Sequence, residues 1–242
     1  MKLSKRFGQH FLKDRNILKK EVEIAGVAGK TVLEIGPGDG RLTEEILDAK
    51  AKKVYAVEKD DRFAALLLEK FMGNKRIEVL HSDFLKMELP EDVEVVIGNI
   101  PYYISSKIIF SLKNTNIRKA VLVVQKEFAQ KMVANAGESN YGRLSVTSQL
   151  SFDVELIQKI PKHLFKPPPK VDSALITLKP KRNSLTMKEE DLIRKLFQHK
   201  NKKIRNSLPE AETKWADKRP RELAPEQVLK FIKSYSENSI AS

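Results

Sequence analysis

The 242-residue sequence predicts an α/β fold: a mostly parallel sheet with helices on both faces, followed by a small, mainly helical C-terminal domain. Three observations predict it. Short β-rich apolar runs alternate with amphipathic stretches through the first half of the chain. A glycine-rich turn joins the first of these runs to a helical pattern. The β signal then stops near residue 181.

Thr31–Ile35, Lys53–Val57, Ile77–Leu80, Val93–Ile97 and Ala120–Val124 read as strands. Between them Arg41–Ala49, Asp60–Met72 and Ser105–Leu112 carry helical spacing. Strand–helix alternation demands right-handed crossovers and therefore parallel strands. Val154–Ile157 and Ala174–Leu178 are expected to add edge strands, flanking Phe165–Pro169, whose prolines hold the backbone extended. Beyond Lys179–Asn183 the pattern is helical, over Lys188–His199, Lys202–Leu208 and Pro225–Tyr235. Two domains are expected, 1–180 and 181–242.

The absence of cysteine excludes a disulfide framework, a thiolate zinc site and a cysteine nucleophile. His81, His163 and His199 lack metal-ligand spacing, so no metal is expected. No apolar run reaches the length of a membrane span, and the basic start lacks a signal peptide's apolar core. A cytoplasmic protein without a membrane partner is expected. The net charge of +13 is uneven: residues 21–100 hold 11 Lys/Arg against 17 Asp/Glu, whereas 1–20 and 181–242 are each net positive by 6. Basic flanks around an acidic core suit a polyanionic partner, although Lys-rich solvated helices give the same composition.

The turn Glu34–Gly40 (EIGPGDG) follows the first strand and opens a helix. Its glycines let the backbone turn tightly and approach a ligand. The spacing is Gly-x-Gly-x-Gly rather than the Gly-x-Gly-x-x-Gly of dinucleotide sites, and Glu34 and Asp39 would repel a pyrophosphate. S-adenosylmethionine has no phosphate and carries two cationic groups, so a loop built on Gly36 and Gly38 suits it better. Glu58 ends the second strand, where an acceptor for both ribose hydroxyls belongs. Asp83 follows the third strand and can accept from the adenine amine. Either carboxylate alone reads equally as a surface group; several acids at strand C-termini do not.

Asn99-Ile-Pro-Tyr102 follows the fourth strand and resembles the Asn/Asp-Pro-Pro-aromatic motif of amino-methyltransferases. An adenine N6 lone pair is delocalised into the ring. The Asn99 side chain and the Ile100 carbonyl can each accept one N6–H, turning the nitrogen toward tetrahedral geometry. Tyr102 offers a stacking face for the base. Alone, the tetrapeptide reads as an ordinary turn; with the glycine loop and carboxylates it reads as chemistry.

Six separated motifs now occur in order: Gly8–Leu12, Glu34–Gly40, Val57–Glu58, Ser82–Asp83, Asn99–Ser106 and Phe165–Ser173. Together they resemble the ribosomal RNA adenine N6,N6-dimethyltransferases, which modify two adjacent adenines near the 3′ end of small-subunit rRNA. The resemblance covers Phe7 to about Leu178. It implies a Rossmann-like methyltransferase sheet, S-adenosyl-L-methionine as cofactor, and a role in ribosome biogenesis. It also implies that His10, Leu12, Gly36, Glu58, Asp83 and Asn99 line the cofactor site, and that Tyr102 and Phe165 sandwich the target adenine. The substrate is then small-subunit rRNA within an immature ribosomal subunit, met by a monomer. Lys200, Lys202, Lys203 and Arg205 are expected to contact RNA phosphates, the other reading being a solvated basic helix face. Trp215 is read as small-domain core.

Two neighbouring readings stay open. One is the related group that methylates an adenine of large-subunit rRNA. The other is a non-catalytic assembly factor that kept the fold, against which the intact Asn99–Tyr102 and glycine loop argue.

Overall fold

The computed structural model describes residues 10–182, 185–208 and 214–238. Phe7, where the resemblance begins, and Gly8 and Gln9 of the first motif lie outside the described residues. The first half of the chain runs β1 (Phe11–Leu12), α1 (Arg15–Ala25), β2 (Thr31–Ile35), α2 (Arg41–Asp48), β3 (Lys53–Glu58), α3 (Asp61–Lys70), β4 (Ile77–His81), β5 (Val95–Asn99), α4 (Ser105–Ser111) and β6 (Lys119–Gln125). It continues through α5 (Lys126–Met132), α6 (Arg143–Ser151), β7 (Phe152–Ile160), β8 (Phe165–Lys166), β9 (Ser173–Pro180), α7 (Met187–Phe197), α8 (Ile204–Ser207) and α9 (Pro225–Asn238).

Seven strands form one sheet in the order β4-β3-β2-β5-β6-β9-β7. From β4 to β6 the neighbours are parallel, and β9 runs antiparallel to β6. The chain leaves β2 toward β3 and β4, then returns to place β5 on the other side of β2. The crevice at that reversal, outside the strand C-termini, is where open α/β sheets bind ligands. Gly98 lets the two strands meet there, since a Cβ on it would lie 2.6 Å from the Ile35 carbonyl oxygen. The five strands β2 to β6 follow the expected runs; the fourth starts two residues later than the sequence suggests.

Of the two expected edge strands, β9 is interior, between β6 and β7. Its residues Ser173–Leu178 are all buried, the mark of a strand covered on both faces, with Ser173 and Thr177 as its polar members. α1 has no counterpart in the sequence reading. Asp14 caps it by accepting from the Asn16 and Ile17 amides, and Gly26 closes it in the left-handed conformation. Leu18, Val22 and Ala25 line its buried face.

Backbone proximity divides the chain into two compact units: Met1–Glu127 with Glu155–Pro180, and Phe128–Val154 with Lys181–Ser242. The segment Phe128–Val154, expected in the larger domain, thus belongs with the C-terminal helices. Its apolar residues Tyr141, Val146 and Leu150 share a core with Ile193, Leu196, Phe197, Val228 and Phe231. The Tyr141 hydroxyl donates to the Leu223 carbonyl at 2.6 Å, which ties the two stretches together. α6 escapes a periodicity search because Thr147 and Ser148 hydrogen-bond back to the Arg143 and Leu144 carbonyls, so polar residues fill a buried helix. The helix expected over Lys202–Leu208 is only the four residues of α8. Trp215 meets Phe231 edge-on at 6.3 Å.

Candidate active site

One cleft in the first unit gathers His10, Leu12, Gly36, Gly38, Glu58, Asp83, Asn99, Ile100, Tyr102 and Phe165. Its floor is the C-terminal end of β2, β3 and β5. Gly36, Gly38 and Gly40 have φ of 67°, 56° and 79°. Gly38 has a second constraint, because a Cβ there would collide with the Phe11 ring. Phe11 in turn rests edge-on against Phe63 at 5.2 Å.

Glu58 at the end of β3 is 7% exposed. One carboxylate oxygen accepts from the Gly38 amide at 3.0 Å and the other from the Asp60 amide at 2.9 Å. Burial raises its pKa while these backbone donors pull it down. Glu58 therefore pins the glycine loop and keeps a lone pair on each oxygen for a ligand hydroxyl. Asp83 is held at 2.8 Å by Lys59, which lowers its pKa, and it caps the following turn by accepting from the Leu85 amide.

Glu34 departs from the sequence argument. It is 1% exposed beneath the loop, accepts from the Thr43 hydroxyl at 2.6 Å, and has its pKa pushed up to about 8 by desolvation. Asp39 is paired with Arg41 at 3.1 Å. The loop's own acids are thus one buried carboxyl and one ion-paired one, and Glu58 and Asp83 line the cleft beside them.

At the other end, the Ile100 amide donates to the Val123 carbonyl at 3.3 Å, tying the tetrapeptide to β6. The Pro101 carbonyl accepts from the Ile104 amide and the Ser105 hydroxyl, closing the turn into α4. The Tyr102 hydroxyl shares a 2.6 Å hydrogen bond with Ser173. His10 stacks near Tyr102, with centroids 6.3 Å apart and planes inclined by 24°, and its Nδ1 lies 2.8 Å from the Pro167 carbonyl oxygen. Phe165 lines the same cleft at 4% exposure and pairs with Leu12 across β1 and β8. The motifs around Leu12 and Phe165 are thus one antiparallel ladder, a link that linear spacing cannot show.

Lys200, Lys202, Lys203 and Arg205 do not lie at this cleft; they belong to the second unit. Lys200 donates to the Ser139 and Tyr141 carbonyls, and Lys203 and Arg205 share Asp217 at 2.9 and 3.0 Å. Phe11 and Ser173 carry structure at the site, and Glu21 on α1 is buried beside Asn99, all without a role assigned from sequence. Phe11 and Ser173 sat inside motifs already noted. Glu21 left no signal, being a polar residue on an otherwise ordinary helix face.

The cleft fits S-adenosylmethionine in kind: an acceptor pair at Glu58 for a ribose, a close-approach backbone at Gly36–Gly38, apolar walls from Ile35, Val57 and Leu85, and a buried Asn99 Oδ1 with no hydrogen-bond partner among the described residues. A family model described as ribosomal RNA adenine dimethylase matches residues 1–240. A probable ribosomal RNA small subunit methyltransferase A from Methanopyrus kandleri is 43% identical over 221 residues, 89% of this chain and 79% of the relative. The crystal structure of a dimethyladenosine transferase from Plasmodium falciparum matches with a TM-score of 0.84 and 31% identity, covering 95% of this chain and 98% of that one. That of the 23S rRNA methyltransferase ErmE gives 0.72 and 33%, covering 92% and 98%.

Proposed function

The chain belongs to the ribosomal RNA adenine dimethylase family, and from that premise we propose that it dimethylates two adjacent adenines near the 3′ end of small-subunit rRNA. It is an S-adenosylmethionine-dependent rRNA adenine N6-methyltransferase of Rossmann-like fold. The observation that carries the finer reading is the meeting of Asn99–Tyr102 with Glu58 and the glycine loop in one cleft. The small-subunit assignment is favoured by the curated relatives, which are named for that subunit.

When bound, S-adenosylmethionine supplies the electrophilic methyl group. Glu58 would accept from its ribose hydroxyls and Asp83 from its adenine amine, the backbone at Gly36 and Gly38 would allow its close approach, and His10 and Leu12 would complete the cofactor side. Asn99 Oδ1 and the Ile100 carbonyl oxygen accept hydrogen bonds from the N6–H groups of the target base, two before the first transfer and one before the second, which turns the nitrogen lone pair toward the methyl group. Tyr102 and Phe165 hold that base, with the Tyr102 ring kept in place by Ser173 and flanked by His10. No strong general base is required, because the methylated ammonium is acidic enough to lose its proton to water. The enzyme's contribution is orientation and desolvation.

The setting we propose is the cytoplasm, with a monomer meeting an immature small subunit. No described helix is long and apolar enough to cross a membrane. The second unit would serve the subunit contact, its expected residues being Lys200, Lys202, Lys203 and Arg205. Radiolabelled methyl transfer to immature small subunits, free small-subunit rRNA and large-subunit rRNA, with products mapped by reverse-transcription stops, tests this. Paired stops near the small-subunit 3′ end are expected. A single methylated adenine in large-subunit rRNA would move the protein to the ErmE-like reading.

A further inference from the structure

Both carboxyl oxygens of Glu21 are enclosed with no hydrogen-bonding group beside them, among the described residues, except the Asn99 side chain, and Oδ1 of Asn99 is itself buried without a partner there. Glu21 is 1% exposed on the face of α1 that also buries Leu18, Val22 and Ala25. The Asn99 side chain at the end of β5 is its hydrogen-bonding neighbour, and its charged neighbour is another buried carboxyl, Glu34 on β2. Lys119 reaches the same helix and donates to the Ile24 carbonyl at 2.8 Å. A leucine would fill the Glu21 position without desolvating a carboxyl, so the residue costs stability where it stands. Buried polar groups are rarely left unpaired, and a cluster of three acceptors asks for a donor.

That donor is already present. The two ends of an asparagine amide are alike in shape and differ in hydrogen bonding. With Nδ2 turned toward Glu21, one N–H meets a carboxyl oxygen and the Asn99 oxygen faces the cleft, where an acceptor is needed. With the oxygen turned inward, acceptor opposes acceptor and the cleft receives an N–H₂ that would repel the amine to be methylated. The proton that burial and Glu34 favour on Glu21 leaves its carbonyl oxygen free to accept.

We infer that Glu21 is a positioning residue for methyl transfer: it accepts one Nδ2–H of Asn99 and so points the Asn99 oxygen at the substrate amine. This rests on the reading of Asn99 as acceptor for that amine. It adds a third layer to the site, with α1 orienting β5 and β5 orienting the base.

The test uses the full chain, S-adenosylmethionine and immature small subunits, with Glu21→Leu, Glu21→Gln and Asn99→Ala. Glu21→Leu should lower kcat about tenfold or more, the scale of one misdirected hydrogen bond in the transition state. It should leave the KM for S-adenosylmethionine unchanged and raise Tm. Glu21→Gln should restore kcat, because its amide oxygen accepts the same N–H. Wild-type kcat in Glu21→Leu, or a Glu21→Gln variant as slow as the leucine, overturns the inference. Should the leucine variant not fold, nitrogen-15 spectra of wild type decide: one Asn99 Nδ2 proton, identified by its loss in Asn99→Ala, should exchange slowly, and fast exchange of both overturns it. Asn99→Ala separates the two readings. Wild-type turnover there sinks the acceptor role itself, whereas a slow Asn99→Ala beside a normal Glu21→Leu sinks only the part played by Glu21.

Discussion

The cleft of the first unit and the basic run of the second use their charges in opposite ways. Around the cleft, Glu58 is held by backbone amides that leave each oxygen able to accept again, and Asp83 is fixed at a strand end by Lys59. In the second unit, Lys200 donates to two carbonyls of its own unit, and Lys203 and Arg205 converge on Asp217. One set of charges is prepared for a ligand; most of the other is already engaged. Charge type in a sequence therefore says little until its nearest partners are known.

The largest effect should come from the residue that serves loop and ligand together. Glu58→Ala removes an acceptor for the ribose and releases the Gly38 amide, and each lost charge-assisted hydrogen bond is worth about 1.5–3 kcal/mol. Calorimetric titration with S-adenosylmethionine should show affinity down by two or more such contacts. A folded mutant with unchanged affinity would mean the cleft's acidity is structural, as in the second unit. Next in size is Tyr102→Ala, which should keep cofactor affinity while turnover falls by the worth of one stacked base, about 1–3 kcal/mol. Wild-type turnover would place the target base elsewhere.

Much of this site was legible because parallel α/β sheets put successive strand ends side by side. Gly36, Glu58, Asp83 and Asn99 are far apart in sequence, yet each ends or closely follows a strand, and the strand order brings them together. The links missed were those that no local pattern encodes. The ladder of Phe11 and Leu12 on Lys166 and Phe165 joins segments more than a hundred residues apart. Ser173 reads as a strand residue until its hydroxyl is seen on Tyr102. The domain boundary failed at Phe128–Val154 because Tyr141, Val146 and Leu150 have their apolar partners beyond residue 181. Glu21 was invisible since burial of a carboxyl has no signature in sequence.

A third prediction sharpens the contrast within the cleft itself. Glu34 has its pKa raised from 4.5 to about 8, mainly by desolvation. Below 4.5 it is protonated in both folded and unfolded chains, and its stabilising contribution is whole. Between 4.5 and about 8 the unfolded chain releases a proton that the folded chain keeps, so stability falls as pH rises through that window. Asp83 has the opposite sign: its pKa is lowered by Lys59, so its contribution is present above 3.8 and fades as pH falls below. Unfolding midpoints across pH 5–8 should decline in wild type, with part of the slope, on the order of a few kcal/mol, removed in Glu34→Gln. Equal slopes in the two proteins would mean that Glu34 ionises freely when folded.

The smallest expected effect tests the comparison directly, through salt. Binding that neutralises RNA phosphates releases counterions, and log affinity then falls with log salt by about 0.7 per contact for single strands. Lys166 and Lys170 are exposed and make no ion pair among the described residues, and they flank the prolines beside Phe165. Of the second-unit run, Lys202 alone has an uncommitted ammonium among the described residues, the other three being engaged as above. Replacing Lys166 and Lys170 with Gln should therefore flatten the slope by about two contacts' worth. Replacing Lys200, Lys202, Lys203 and Arg205 with Gln should flatten it by about one, despite removing twice as many charges. Cofactor affinity should stay unchanged in both, since none of the six lines the cleft. The measurement is binding of a small-subunit rRNA fragment across a salt series. If the quadruple variant lost three or four contacts, the Asp217 pairs and the Lys200 carbonyl bonds would have to open when RNA arrives. The second unit would then be as prepared for its ligand as the first.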